Sequence, residues 1–373
     1  SLLLAELPTI VAPERPENDP LLPNIRTIIW KLSTGTANLH RVLLFIPPSL
    51  KSLTLDLPAS AREEGDSVRQ LFDGLMASPE LDLETFKFTK PEVGARMVER
   101  LSSFLERQPN LKVLVISTDP YLEPRVSQER LFPTLPSGLR ELRADVEFHD
   151  KTEYIARIQT ISQRLPNLRV LKLVLSSIGS WDLSNFESLS PFLQNRNLEE
   201  LTLYISTAIH LDTRDIHALG KALPRITRLD LRLHYNVWPA LKIQASSLMD
   251  FAKAFPNLRV LTTDISSTDI SCTDIPLASL EGNESAEPEA PKFLNLRVLN
   301  VGTSSLSEDD VVRMAEFLAK VCADPLLEIE YDGKKNDSGD SVRPWRDVEA
   351  MVELIRRPNL GGGNSNADRT PGS

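Results

Sequence analysis

Apolar residues recur along the chain in short segments of the form Leu-x-x-Leu-x-Leu-x-Leu, where x is polar or variable. Residues 168–175 show the pattern in full, with leucine at positions 168, 171, 173 and 175. Alternation of apolar and polar residues over about five to eight positions is typical of a β-strand with one buried face. Each such segment therefore predicts one strand whose leucines turn toward a shared core.

The pattern recurs in eleven registers at a mean spacing of about 30 residues, and the last register, which begins at Leu326, fits it least well. A strand of this kind cannot bury its apolar face alone, so each unit must stack on the next, as in repeat proteins. The inward residues expected in the middle of the eleven strands are Ile28, Leu53, Phe86, Leu114, Leu142, Leu171, Leu201, Leu229, Leu261, Leu299 and Ile329.

The sequence NLRVL occurs three times, beginning at Asn167, Asn257 and Asn295, and the near copy NLKVL begins at Asn110. Its two leucines occupy the first two inward positions of the strand pattern. In three of the four copies a proline precedes the asparagine, which ends the preceding helix and favours an extended backbone. We interpret the repeated letters as the point where the chain re-enters a common sheet, and not as a binding motif.

The segments between the predicted strands have helical periodicity. Val311, Met314, Ala315 and Leu318 follow the i, i+3, i+4, i+7 spacing of an amphipathic helix. One strand and one helix in about 30 residues are typical of a leucine-rich repeat. The sequence thus predicts an α/β leucine-rich-repeat solenoid of about 11 irregular repeats, with a parallel strand ladder on the concave face and helices on the convex face. Unrelated α/β units with coincidental spacing are the alternative.

The repeat pattern also predicts the domain boundaries. We expect residues 1–20 to be a connector, residues 21–357 to form a single leucine-rich-repeat domain, and residues 358–373 to be a disordered tail. An acidic stretch rich in Ser, Pro and Glu, residues 266–293, interrupts the spacing. It predicts a solvated loop insertion, with a loop controlled by phosphorylation as the alternative. Because the chain begins without methionine, we expect it to be the middle of a longer protein.

Composition narrows the classes of function. A net charge of −10 and a pI near 5.2 argue against a broad nucleic-acid or membrane footprint, although a local basic face is compatible with them. Two cysteines cannot build a disulfide framework, which favours a reducing compartment, cytoplasmic or nuclear. The five histidines are scattered and no phosphate-binding, metal-binding or hydrolase motif is present. We therefore expect a protein that is not an enzyme, with no cofactor and no metal.

In a leucine-rich repeat the residues between the leucines face away from the core and line the concave strand ladder. Tyrosine and arginine are the residue types that most often dominate protein interfaces, and both occur in the middle of this predicted surface. Charge added only for solubility is the alternative explanation. The candidate partner-binding residues are Arg143, Lys172, Tyr204, Asp230, Arg232 and Asp264.

The segments LLPNIRTIIW, PPSLKSLTLDL, QPNLKVLVIS, LPNLRVLKLVL and NLEELTLYIS, taken in this order, resemble the irregular leucine-rich region of fungal F-box proteins. The resemblance covers roughly residues 20–330. It implies the substrate-recognition region of an adaptor of a cullin-RING ubiquitin ligase, with a protein substrate on the concave face and no catalytic residue. The F-box that docks on the ligase would have to precede Ser1.

We expect a monomer, and the acidic net charge predicts that it binds neither nucleic acid nor membrane. An alternative without a ligase role remains: a stand-alone leucine-rich-repeat scaffold or regulator, of the GTPase-activating or inhibitor-like kind.

Overall fold

The computed structural model describes most of the predicted repeat region. The described residues are 2–4, 24–31, 43, 46–57, 65–78, 81–89, 95–117, 128–148, 150–177, 186–205, 209–233, 241–265, 292–302, 304, 306–324, 326–331 and 343–356. The predicted tail at 358–373, most of the predicted connector and nearly all of the acidic insertion lie outside them. Those predictions stay predictions.

Fifteen strands form in the described residues, and all but the first lie at the end of a repeat pattern or just beyond it. They are β1 Leu2–Leu4, β2 Thr27–Lys31, β3 Ser52–Asp56, β4 Thr85–Thr89, β5 Val113–Ser117, β6 Glu141–Phe148, β7 Val170–Ser177, β8 Glu200–Ile205, β9 Ile209–His210, β10 Arg228–Leu233, β11 Leu241–Ile243, β12 Val260–Thr262, β13 Asp264–Ile265, β14 Val298–Gly302 and β15 Glu328–Tyr331. Twelve of them build one parallel sheet in the order β1-β2-β3-β4-β5-β6-β7-β8-β10-β12-β14-β15.

The register of this sheet follows the apolar pattern. From Ile28 to Ile329, each predicted inward residue is the Cα partner of the next one along the sheet. All eleven are buried. A shift of one residue would turn every leucine of a strand to the opposite face, so burial of the apolar side fixes the register. The predicted leucine-rich-repeat solenoid is confirmed.

Within the described ranges, seven α-helices form a second layer behind the sheet: α1 Gly65–Ala77, α2 Ala95–Glu106, α3 Lys151–Arg164, α4 Thr213–Ala222, α5 Ser247–Ala254, α6 Val311–Val321 and α7 Arg343–Arg356. The predicted helical stripe from Val311 to Leu318 is buried at all four positions. Two repeats use 3-10 turns in place of an α-helix, at Gln128–Thr134 and Ser190–Gln194, and each contains a proline. Proline lacks the N–H that an α-helix needs, which explains the short turns.

Asparagine side chains form hydrogen bonds that join two of the turns to the preceding repeat. The amide of Asn295 donates a hydrogen bond from Nδ2 to the carbonyl oxygen of Pro256 at 3.1 Å, and Asn197 makes the same bond to Pro166 at 3.0 Å. Each asparagine precedes the first inward leucine of its strand. The asparagine at the start of NLRVL therefore has a structural role at Asn295, where it joins two successive turns.

Two features differ from the sequence pattern. Leu326, expected to begin the last register, is 73% exposed. The carboxylate of Asp324 accepts a hydrogen bond from the backbone N–H of Leu326, which holds this residue in a turn ahead of β15. Leu2–Leu4, within the segment predicted as a connector, pairs in parallel with β2 and adds a strand to the sheet.

A second, smaller sheet forms beyond the carboxyl ends of three neighbouring strands. β9, β11 and β13 follow β8, β10 and β12 in the chain and pair in parallel, in the order β13-β11-β9. The break between β12 and β13 falls at Thr263, whose N–H donates to the carbonyl of Asn300 and whose hydroxyl donates to the carbonyl of Leu241. The chain therefore leaves the main sheet at this point.

Candidate functional site

In each strand of the main sheet from β3 onward, the third residue lies on the solvent side, between two inward residues. We call this row the outward ladder, and its members are Cα partners from one strand to the next. Its members are Thr54, Lys87, Val115, Arg143, Lys172, Thr202, Asp230, Thr262, Asn300 and Glu330.

Arg143, Lys172 and Tyr204 form one continuous group on three consecutive strands. Arg143 pairs in register with Lys172, and its Nε donates to Glu141 Oε1 at 2.7 Å. The ammonium of Lys172 lies 5.3 Å from the centre of the Tyr204 ring. Such a cation–π contact contributes about 0.5–1 kcal/mol at an exposed site. It holds the aromatic ring and the ammonium together at the surface.

Asp230 lies at the centre of a three-residue ion cluster. Arg232 donates from Nε to Asp230 Oδ1 at 2.7 Å, and Arg228 donates from Nη2 to Asp230 Oδ2 at 2.7 Å. The carboxylate is only 2% exposed, whereas Arg228 and Arg232 are 37% and 22% exposed. The two guanidinium groups therefore cover the carboxylate and present its charge partners to solvent.

The charge state of Asp230 is set by two opposing effects. Burial acts to raise its pKa, but the hydrogen bonds and positive charge of Arg232, with Arg228, outweigh burial, so the pKa of Asp230 lies below its ordinary value. For Arg232, burial acts to lower the pKa, while the bond to Asp230 raises it above its ordinary value. The pair stays ionised at neutral pH.

Tyr204 and Arg232 are direct register partners, so the ion cluster adjoins the Lys172–Tyr204 pair. Four of the six predicted residues therefore lie together on one surface with exposed or half-buried side chains: Arg143, Lys172, Tyr204 and Arg232. A fifth, Asp230, lies buried beneath this surface. Arg228 belongs to the same surface and was not predicted. Its position two residues before Asp230 on the same strand was the available signal, because residues i and i+2 share a face of a strand.

Asp264 does not join this surface. It lies on β13, where Lys242 is its neighbour in the smaller sheet, and its Oδ1 accepts a hydrogen bond from the hydroxyl of Ser304 at 2.8 Å. The carbonyl of Ser304 in turn accepts a hydrogen bond from Trp345 Nε1 at 2.6 Å. The strand pattern placed Asp264 in the row of Arg232, but the main sheet ends two residues before Asp264, at Thr262.

Metal binding and nucleophilic attack would need suitable side chains in the part of the chain that the structure describes. No three His, Cys, Asp or Glu side chains there are grouped to hold a metal ion. Cys322 is a free, buried thiol, and burial raises its pKa to about 12. A buried thiol of high pKa is a poor nucleophile. The exposed groups on the concave face are suited to noncovalent recognition.

Comparison with known proteins gives structural neighbours but no sequence relative. No protein-family model matches the sequence, and no curated protein matches it. The leucine-rich repeat-containing protein LegL7 from Legionella pneumophila is 13% identical, with a TM-score of 0.41 over 88% of this chain and 98% of LegL7. A chain of the yeast Rad7–Elc1 complex is 16% identical, with a TM-score of 0.47 over 82% of this chain and 68% of that one.

At this level of similarity the neighbours carry no information on partners, and the assignment of the fold rests on the strand register described above. None of the helices in the described ranges is long and apolar enough to span a bilayer.

Proposed function

We propose that this chain is a protein-recognition module that binds its partner with the concave surface formed by Arg143, Lys172, Tyr204 and Arg232. The observation that supports the proposal most directly is the contact of Lys172 with Tyr204 beside the Arg232–Asp230 pair. Side chains that are already held in place lose little conformational entropy when a partner binds. Tyrosine and arginine in such positions are typical of the residues that dominate binding energy.

Asp230 has a positioning role in this surface. At 2% exposure it cannot reach a partner, but it fixes the guanidinium planes of Arg228 and Arg232. A carboxylate bound by two arginines also explains why two cations are tolerated so close together. Arg232 is thus both a contact residue and part of the fold, which makes it a poor choice for a test of binding alone.

The proposal is tested by proximity labelling with the double variant Lys172→Ala/Tyr204→Ala in cells of the source organism. A matched control carries Arg214→Ala/Arg313→Ala, two exposed arginines on the helical layer. We expect the Lys172→Ala/Tyr204→Ala variant (the concave variant) to lose the labelling of specific partners and the control to retain it. Partners that the concave variant keeps in full would contradict the proposal.

We further propose that the recognition serves a cullin-RING ubiquitin ligase, with this chain as the substrate-recognition region of an F-box type adaptor. The support is the resemblance of the repeat segments to those of fungal F-box proteins and the recognition surface itself. The test is co-purification of the full-length natural protein with the ligase adaptor. A full-length protein that does not co-purify would favour the stand-alone scaffold or regulator.

A further inference from the structure

Charge is distributed unevenly along the concave face. For each strand we compare three positions: the residue immediately before the strand, and its first and third residues. In β4, β5, β6 and β7 these positions hold two carboxylates, Glu84 and Glu141, and six cations. We call the six cations the basic patch: Lys87, Lys112, Arg140, Arg143, Arg169 and Lys172.

The same three positions in β8, β10, β12 and β14 hold three cations and three carboxylates. The chain as a whole carries a net charge of −10. Among these eight strands, a net positive charge at the compared positions is therefore limited to β4–β7, on a protein that is acidic as a whole. Segregation of this kind creates a local potential that selects partners of opposite charge.

The cations of the basic patch are available to a partner. Among the described residues, Lys87 and Arg140 have no ion pair, and Lys172 contacts only the Tyr204 ring. Lys112 pairs with Glu84 at 2.7 Å and Arg169 with Glu199 at 3.5 Å, with the two cations 46% and 52% exposed. Exposed ion pairs contribute only about 0–1 kcal/mol, so a better-placed anion can replace them.

The cations lie in two rows, and the strip between them consists of the first strand residues Thr85, Val113, Glu141 and Val170. Lys112, Arg140 and Arg169 form one row, connected by backbone hydrogen bonds from each residue to the one before it. The second row, at the third strand position, holds Lys87, Arg143 and Lys172. Three residues along a strand span about 10 Å, and neighbouring strands lie about 4.8 Å apart.

Half-buried valines occupy the strip and its edge. Val113 and Val170 are the first residues of β5 and β7, with Glu141 between them in register, and Val115 lies in the second cation row. The exposed part of these half-buried side chains offers apolar contacts between the positive charges. A partner that fits must therefore carry both anions and small apolar groups.

We propose that the basic patch binds an extended acidic segment of a partner protein, in which the side chains of one face alternate between carboxylates and apolar groups. This inference rests on the proposed function, because it specifies the chemistry of the partner on the same face. In an extended segment, side chains on one side repeat at about 6.6–6.8 Å, so every second residue faces the protein and can meet a cation or a valine in turn. A nucleic-acid backbone meets the cations but leaves the valines without apolar contact.

The test uses fluorescence anisotropy with labelled peptides of about eight residues, long enough to cross four strands. The probe repeats Glu-Ser-Val-Ser, so that Glu and Val alternate on the side that faces the protein; one control replaces Val by Ser and the other replaces Glu by Gln. A single-stranded oligonucleotide of similar length is the fourth ligand. We expect the Glu/Val peptide to bind best, and raising salt from about 0.1 M to about 1 M to weaken it, because screening shortens from about 10 Å to about 3 Å.

Two charge-reversal variants with the same change in net charge complete the test. Lys87→Glu/Arg140→Glu reverses the two unpaired cations of the patch, and Arg214→Glu/Arg313→Glu reverses two exposed cations on the helices. We expect the first variant to bind the Glu/Val peptide at least ~10-fold more weakly, because like charges are brought together, and the second to bind it as the wild type does.

Each alternative outcome overturns a defined part of the argument. No binding of the Glu/Val peptide, equal binding of the Gln/Val peptide, or tighter binding of the oligonucleotide would overturn the acidic-segment proposal. If cellular partners are lost with Lys172→Ala/Tyr204→Ala but kept with Lys87→Glu/Arg140→Glu, the proposed function stands and this inference fails. Partners kept by both variants would overturn the proposed function as well.

Discussion

The two halves of the outward ladder differ both in residue type and in the exposure of their side chains. In β4 to β7 the ladder side chains of Lys87 and Arg143 are exposed and Lys172 is half-buried. From β8 to β14 the ladder residues are all buried, and they are Thr202, Asp230, Thr262 and Asn300. In this second half, Asp230 is bound by two arginines, and Asn300 donates to Glu330 at 2.9 Å.

The difference shows that a charged residue on a strand can serve recognition or hold the sheet together. In the first half the ion pairs are exposed and weak, so the charges remain open to a partner. In the second half the bonds are partly buried and centred on buried side chains, and breaking one leaves a charge or amide without compensation. The predictions below test this contrast, beginning with the core that both halves share.

The largest effect is expected from Leu171→Asp, which puts a carboxylate among the inward leucines of β7, where Leu171 is buried. An unpaired buried charge costs several kcal/mol, so we expect the repeat array to lose its cooperative fold. Circular dichroism during thermal unfolding measures this. The adjacent outward substitution Lys172→Asp is the control and should stay folded. A Leu171→Asp protein that melts like the wild type would contradict the register.

The contrast between the halves is tested directly by Asp230→Ala and Glu141→Ala. Removing Asp230 leaves Arg228 and Arg232 partly buried without their carboxylate, and we expect a loss of about 3 kcal/mol in the free energy of unfolding. Removing Glu141 breaks an exposed pair with Arg143 and should cost less than about 1 kcal/mol. Urea denaturation compares the two. Equal losses would remove the distinction between the halves.

The ion cluster also predicts a dependence on pH. The pKa of Asp230 is lower in the folded protein than its ordinary value, so its contribution to stability is complete above the unfolded-state pKa of about 3.9. That contribution is lost as the pH falls through the folded-state pKa. The difference in unfolding free energy between wild type and Asp230→Asn should stay constant near neutral pH and shrink in acid. A difference that grows in acid would have the wrong sign.

A small effect on stability, similar to that of Glu141→Ala, is expected from Tyr204→Ala. Tyr204 is half-buried and its described side-chain contact is the cation–π pair with Lys172, so the loss of that contact is about 0.5–1 kcal/mol. Partner affinity should fall much more, about 10-fold or beyond, because interface tyrosines contribute strongly to binding. Urea denaturation measures the stability, and isothermal titration with the partner identified by proximity labelling measures the affinity. Unchanged affinity would place the recognition surface elsewhere.

Much of the fold could be predicted because its signal is local. Alternation with period two marks the strands, and the spacing of about 30 residues fits one strand and one helix for each repeat. The candidate surface was predicted in part: Arg143, Lys172, Tyr204 and Arg232 do lie together, because they share the register of the leucines. Asp264 was misplaced, since the break at Thr263 depends on hydrogen bonds to Asn300 and Leu241, far away in the chain.

The sequence by itself determined which residues turn inward and which strands are neighbours, because burying the leucines allows only one register. The tertiary structure decided which outward charges remain available. Lys87 and Asp230 occupy equivalent positions in the pattern, yet one is exposed and the other is 2% exposed beneath two arginines. The physical reason is that burial and ion pairing are set by side chains on neighbouring strands about 5 Å away, which belong to other repeats and leave no mark in the local pattern.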